Sequence, residues 1–288
     1  MNLCDIKTIK QIMSIYGLTF RKEFGQNFLT ERAVVEEIAE CCCEGRSQNI
    51  LEIGPGLGTL TYELASRYSQ VVAVELDRGL IGALGYTLNE FNNVKIINDD
   101  IMKCDIPALA EPYLEDGLSV CANLPYYITT PILMALLESR VPFDYITVMV
   151  QSEVADRLCA VPGSRDCGAI TAVLAYYGTA ERLMKVPAEL FLPPPKVDSA
   201  VVRIKLHKQK PYCPDNEEMF FKTIKAAFGQ RRKTLPNALS AVFTDIPRDR
   251  LIQAVTESGI DINIRGERLT MHNFVVLSDI LGQLTKSK

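Results

Sequence analysis

Glu52-Ile53-Gly54-Pro55-Gly56-Leu57-Gly58 follows a short apolar run at residues 50–53 and leads into a helical pattern. In a doubly wound α/β sheet that is the place where a ligand sits. Glycines in such a turn let the backbone come close to a bound molecule. The spacing is Gly-x-Gly-x-Gly, and Thr59 stands where the third glycine of a dinucleotide fingerprint would have to be. That argues against a dinucleotide, and no Lys followed by Ser or Thr completes a phosphate-cradling loop. A cofactor without phosphates fits better.

Outward from this turn, apolar runs at residues 50–53, 71–76, 94–97, 119–122 and 145–150 alternate with helical patterns. Such alternation predicts βαβ units and a parallel sheet covered on both faces. Residues 200–206 alternate and are rich in β-branched side chains, as a late strand would be, and Pro193-Pro194-Pro195 blocks any helix just before them. Beyond residue 214 the pattern turns helical, with apolar faces over 219–228, 249–258 and 271–284. The expected architecture is an α/β domain with a Rossmann-like sheet over residues 1–207 and a small helical domain over 208–288.

The ends of the second and third strands carry acids. Glu75 lies 21 residues after Gly54, where a carboxylate can accept hydrogen bonds from both hydroxyls of a ribose. Asp99-Asp100 closes the third strand, where a carboxylate can accept from the amino group of an adenine. An excess of acid around a pocket suits a cation. Either acid alone would also suit a loop facing water. Glycines and acids at three consecutive strand ends together describe S-adenosylmethionine.

The fourth strand leaves through Asn123-Leu124-Pro125-Tyr126. A turn needs no more than its Asn and Pro, but the same tetrapeptide meets the demands of methylating a planar exocyclic amine. The lone pair of an adenine amino group is delocalised into the ring, so its hydrogens must be held by acceptors that favour a pyramidal nitrogen. An Asn side-chain oxygen and a neighbouring backbone carbonyl can do that. The Pro fixes the turn, and an aromatic ring offers the base a face to stack on.

At 288 residues, 48% of them hydrophobic, the chain can bury a large core. No run of about 18 apolar residues predicts a membrane span, and Asp5, Lys7 and Lys10 occupy an N-terminus without the apolar core of a secretory signal. A cytoplasmic protein is expected. Nine cysteines show no Cys-x-x-Cys spacing, and His207 and His272 are the only histidines, so metal ligation and histidine acid-base chemistry are poorly supplied. Free thiols and no metal are expected. The net charge of −4 conceals an asymmetry: residues 201–288 hold 15 Lys and Arg against 9 Asp and Glu, a net +6, and the rest 16 against 26, a net −10. A basic tail contacting phosphates and a solvated basic surface both account for it.

With these motifs together the chain resembles the rRNA adenine N6-dimethyltransferases, a family of S-adenosylmethionine-dependent enzymes. Phe24-Gly25-Gln26-Asn27-Phe28-Leu29 is similar to the family's N-terminal cofactor lid, and Leu190-Phe191-Leu192-Pro193-Pro194-Pro195-Lys196-Val197-Asp198-Ser199 to its late loop. The resemblance implies that Asn27, Leu29, Gly54, Glu75, Asp100 and Asn123 contact the cofactor or lie against it. It also implies that Asn123 holds the target amine, with Tyr126 stacked on the adenine and Phe191 pressing from the other side. From the residues alone, an aromatic before a Pro run is equally a packing anchor.

Asn123-Leu124-Pro125-Tyr126-Tyr127-Ile128-Thr129-Thr130-Pro131 resembles the small-subunit housekeeping branch; the large-subunit resistance branch usually has Ile before the Pro. Gln230-Arg231-Arg232-Lys233-Thr234-Leu235 also resembles that branch, making Arg231, Arg232 and Lys233 the expected RNA contacts. The family has Arg next; Pro236 stands there, a residue suited to a helix's first turn. The implied reaction is dimethylation of two adjacent adenines of small-subunit rRNA by a monomer acting on the ribosomal subunit. A non-catalytic RNA-binding assembly factor of the same fold is the alternative, and a DNA adenine methyltransferase is disfavoured by the lack of a target-recognition domain.

Overall fold

The computed structural model describes residues 1–21, 25–45, 48–230 and 232–286. In chain order the strands are β1 (Phe28–Leu29), β2 (Asn49–Ile53), β3 (Gln70–Glu75), β4 (Val94–Asn98), β5 (Leu118–Asn123), β6 (Tyr145–Gln151), β7 (Gly178–Val186), β8 (Phe191–Leu192) and β9 (Ser199–Leu206). Seven of them form one sheet in the order β4-β3-β2-β5-β6-β9-β7, and β1 pairs separately with β8.

Every apolar run expected to be a strand is one. β2 pairs in parallel with β3 and β5, β3 with β4, and β5 with β6. Parallel neighbours need crossover connections. After α1 (Ile6–Ile15) and α2 (Arg32–Cys41), these are supplied by α3 (Thr59–Ala65), α4 (Ile81–Thr87), α5 (Ile106–Ala110) and α6 (Thr129–Glu138). Because helices cover both faces, the central strands are buried at every position instead of at alternate ones: Ile50, Val71, Ala73, Val120, Ile146 and Val148 are wholly enclosed. Strand order reverses between β2 and its neighbours β3 and β5, which opens a crevice at the strands' carboxyl ends.

β9 returns antiparallel to β6, in a register that sets Ser199 opposite Gln151 and Lys205 opposite Tyr145. Its partner β7 was not expected from sequence. Gly178–Val186 is an edge strand whose side chains are mostly exposed or half-buried, so Glu181, Arg182 and Lys185 interrupt any apolar run.

The chain divides into two compact units, one of Met1–Ala155 with Ala180–Leu206, the other of Asp156–Thr179 with His207–Lys288. This corrects the expected single cut after residue 207. The chain does pass from one unit to the other at Leu206 and His207, but it also visits the second unit earlier, through part of α7 (Ser152–Leu158) and through α8 (Ala169–Tyr177). The reason is aromatic packing. Tyr176 is buried with its ring 5.2 Å from those of Phe220 and Phe221, and its hydroxyl donates to Glu217 at 2.7 Å.

In the second unit α9 (Glu217–Gly229) starts where Asn216 accepts a hydrogen bond from the Met219 amide at 2.8 Å, with Glu217 and Glu218 in its first turn. Its buried face is Phe220, Thr223, Ile224 and Ala227, spaced three and four apart. α10 (Leu235–Ser240) carries Pro236 in its first turn, as expected, and α11 (Arg248–Glu257) and α12 (Met271–Lys286) complete the unit. Among the described residues no helix is long and apolar enough to cross a membrane.

Candidate active site

At the carboxyl ends of β2, β3, β4 and β5 lies an open cavity of about 1160 Å³, counted out to its solvent-filled mouth. Asn27, Leu29, Gly54, Glu75, Asp100, Asn123, Tyr126 and Phe191 all line it. The sequence reading drew them from six separate segments, and the fold brings them to one place.

One wall is the glycine turn and the acidic strand ends. Gly54 and Gly56 sit at φ +72° and +63°, a region that side chains rarely adopt. A Cβ on Gly54 would meet nothing within 4 Å, so the backbone there is bare toward the cavity, whereas one on Gly56 would come within 3.0 Å of the Phe28 ring. Glu75, 6% exposed, accepts from the amides of Asp77 at 2.8 Å and Gly56 at 3.1 Å, so that it ties the end of β3 to the turn after β2. Burial raises its carboxyl pKa, against the pull of those amides. Asp100 accepts from the Met102 amide at 3.0 Å and lies 3.6 Å from Lys103.

The other wall is formed by Asn123, the turn after it and Phe191. Asn123 ends β5, and its side-chain amide donates to the backbone carbonyl of Asn27 at 3.3 Å. Asn27 in turn donates to the Gly25 carbonyl at 3.1 Å. With one N–H donated to Asn27, Asn123 keeps Oδ1 as an acceptor. Pro125 starts a tight turn whose carbonyl accepts from the Ile128 amide at 3.1 Å and the Thr129 hydroxyl at 3.1 Å, and this turn carries Tyr126 and Tyr127. Leu29 faces Phe191 across the β1–β8 pair, and Thr30 donates to the Leu190 carbonyl through both its amide and its hydroxyl. The lid segment and the late loop are therefore one structure.

Four carboxyl groups line the cavity, those of Glu52, Glu75, Asp99 and Asp100, and no Lys, Arg or His joins them among the described residues. Such a lining favours a cation. Of the expected RNA contacts, Arg232 and Lys233 are exposed in the second unit and line no part of the cavity. Arg231 lies outside the described residues, as does Phe24 of the lid motif.

A family model described as ribosomal RNA adenine dimethylase matches residues 17–283. The chain belongs to this family. The ribosomal RNA small subunit methyltransferase A of Clostridioides difficile is 43% identical over 280 residues, which span 97% of this chain and 96% of that one. Its counterpart in Lachnoclostridium phytofermentans is 44% identical over 289 residues, 99% of each chain. Among solved structures, the 23S rRNA methyltransferase ErmE superposes with a TM-score of 0.66 at 26% identity, covering 89% of this chain and 100% of that one. A dimethyladenosine transferase from Plasmodium falciparum gives 0.72 at 22%, covering 90% and 98%, a likeness of fold. The expected fold class, a Rossmann-like methyltransferase sheet with a helical C-terminal region, is the one these structures share.

In this adenine dimethylase the cavity and its immediate surroundings also hold residues to which the sequence motifs gave no role. Glu52 is 1% exposed, and its Oε2 has no hydrogen-bond partner; nor has the buried hydroxyl of Thr61. Burial pushes the Glu52 carboxyl up to about 8, with the Glu75 charge adding to the effect. Its position before the glycine turn could have marked it, since an acid in an otherwise apolar strand is costly to bury. Asp77, 5% exposed, accepts from the Gln26 side chain at 3.0 Å and pairs with Arg21 at 3.3 Å, anchoring the start of the lid segment. Tyr127 is 60% exposed at the cavity mouth. No spacing signal marks either.

Proposed function

We propose that this chain transfers methyl groups from S-adenosylmethionine to N6 of two adjacent adenines in small-subunit rRNA, two to each, during ribosome assembly in the cytoplasm. The observation that carries the reading is the oriented Asn123 amide: its NH₂ donates to Asn27, leaving an acceptor oxygen at the strand end in a cavity whose only charged side chains, among the described residues, are acidic. Family membership and full-length similarity to small-subunit methyltransferases support the substrate.

Bound S-adenosylmethionine supplies an activated methyl group on a sulfonium. The protein's task is placement, and holding reactants in line accounts for much of the rate in such transfers. Glu75 accepts from the ribose hydroxyls with the lone pairs its backbone contacts leave free. Asp100 would accept from the cofactor's adenine amine, and Asn27, Leu29 and Gly54 would lie against the cofactor. Asn123 Oδ1 takes one hydrogen of the target amine and favours a pyramidal nitrogen. Tyr126 and Phe191 hold the base between their faces. Arg232 and Lys233 supply phosphate contacts. The chain is proposed to act as a monomer.

The test is to incubate purified protein and labelled cofactor with small subunits from cells lacking the modification, then to map methylated nucleotides by mass spectrometry. Two neighbouring dimethyladenosines are expected. Binding to the subunit without methyl incorporation would instead identify a non-catalytic assembly factor.

A further inference from the structure

Tyr126 makes a contact that stacking does not require. Its hydroxyl lies 2.7 Å from Oγ of Ser199, and Ser199 is wholly buried at the first position of β9. A Tyr on a turn can swing about its first side-chain torsion, and a hydrogen bond at the far end of the ring fixes the direction of the ring's long axis.

Ser199 is itself held firmly. It lies opposite Gln151 in the antiparallel register with β6, and its carbonyl accepts from the Ser152 hydroxyl at 3.4 Å. The preceding Asp198 accepts from the Ala188 amide at 3.0 Å, pairs with Lys185 at 2.7 Å, and accepts at its carbonyl from the Ser152 amide at 3.0 Å. The same stretch of chain leads back to Phe191, whose ring also lines the cavity. One segment thus carries one aromatic face and tethers the other.

We propose that Ser199 is a positioning residue: its hydroxyl sets where the Tyr126 ring lies, and with it the width of the slot between Tyr126 and Phe191, and this matters most for the second methylation of each adenine. The inference rests on the reading of those two rings as the faces that hold the base. An unmethylated amine has two hydrogens, and either can meet the Asn123 acceptor. A monomethylated amine has one hydrogen left, so the base must be held in one orientation with the new methyl directed away. A ring free to tilt penalises that step more than the first.

The experiment compares Ser199→Ala, Ser199→Thr, Tyr126→Phe, Tyr126→Ala and the Ser199→Ala/Tyr126→Phe double variant, reading mono- and dimethyladenosine in single turnovers on unmodified small subunits, with cofactor affinity by calorimetry. Ser199→Ala is expected to slow the second methylation about tenfold, the rate equivalent of one hydrogen bond. Monomethyl product should accumulate and cofactor affinity stay unchanged, with Ser199→Thr restoring the parental product ratio. Tyr126→Phe removes the same hydrogen bond from the cavity side, so it reads the effect independently of how β9 tolerates Ala. The double variant should be no slower than the slower single. A parental product ratio in both Ser199→Ala and Tyr126→Phe would overturn the proposal, as would losses that multiply in the double variant, which would make Ser199 a scaffold residue. A fully active Tyr126→Ala would instead remove the base-holding reading itself.

Discussion

The two walls of the cavity are built by different kinds of sequence. The wall proposed to face the cofactor comes from consecutive strand ends, Gly54 after β2, Glu75 at the end of β3 and Asp100 after β4, each set by parallel pairing with its neighbour. The wall proposed to face the base is assembled across the chain: Asn123 is oriented by Asn27, and the lid strand is paired with the late loop through Thr30 and Leu190, 160 positions apart. A wall built from local motifs should fail one contact at a time. A wall built from long-range contacts should fail in geometry and turnover before it fails in affinity.

The largest test of that contrast is Asn123→Ala. It removes the proposed acceptor for the target amine at a position that leaves no buried charge behind, so turnover should fall roughly 100-fold or more, further than cofactor affinity falls. Dimethyl product should suffer at least as much as monomethyl product, because a single remaining hydrogen needs that acceptor. A variant that folds, binds cofactor and subunit, and dimethylates at the parental rate would reduce Asn123 to a turn residue.

Glu75→Ala should show the opposite pattern, weakening cofactor binding by about 1 to 3 kcal/mol with little effect on subunit binding. Its carboxylate also holds the amides of Gly56 and Asp77. Glu75→Gln, which keeps one acceptor for those amides and drops the charge, should therefore fall between parent and Ala. Equal affinities by calorimetry across all three would take Glu75 out of the cofactor site.

That contrast also explains what was legible before the fold was known. Strand ends bearing Gly54, Glu75 and Asp100 could be read because parallel strands flanked by helices bury continuous apolar runs, and ligand positions in such sheets follow from topology. The union of the lid with the late loop could not, since β1 and β8 are two residues each and carry no periodicity. β7 was invisible because an edge strand has no need of an apolar run. The assignment of residues 156–179 to the helical unit depended on Tyr176 meeting Phe220 and Phe221, an aromatic cluster that spacing does not encode. Ser199 stood within a motif whose resemblance was plain, but its hydroxyl acquires a role only when β9 is brought beside the Tyr126 turn.

An effect on stability alone concerns Glu52, which lines the same cavity and to which neither motif nor resemblance gave a role. Its carboxyl is buried with Oε2 unpartnered and titrates near 8, raised by burial first and by Glu75 second, while an unfolded chain releases the same proton near 4.5. The folded protein therefore holds more protons than the unfolded one between those values, and stability must fall as pH rises across that window. Glu52→Gln removes the titration but buries an amide with two hydrogens of which the Thr61 hydroxyl beside it can accept one, a cost of about 1 to 3 kcal/mol for the other. The two effects oppose each other. At pH 5 the variant should be no more stable than the parent in the absence of cofactor, and by pH 8 it should gain on the parent by roughly 2 to 4 kcal/mol, following the lost proton linkage. Denaturant melts of both proteins at several pH values would measure this difference. A difference independent of pH would mean that Glu52 is ionised in the folded protein throughout, and that the cofactor wall carries its full charge before any cation arrives.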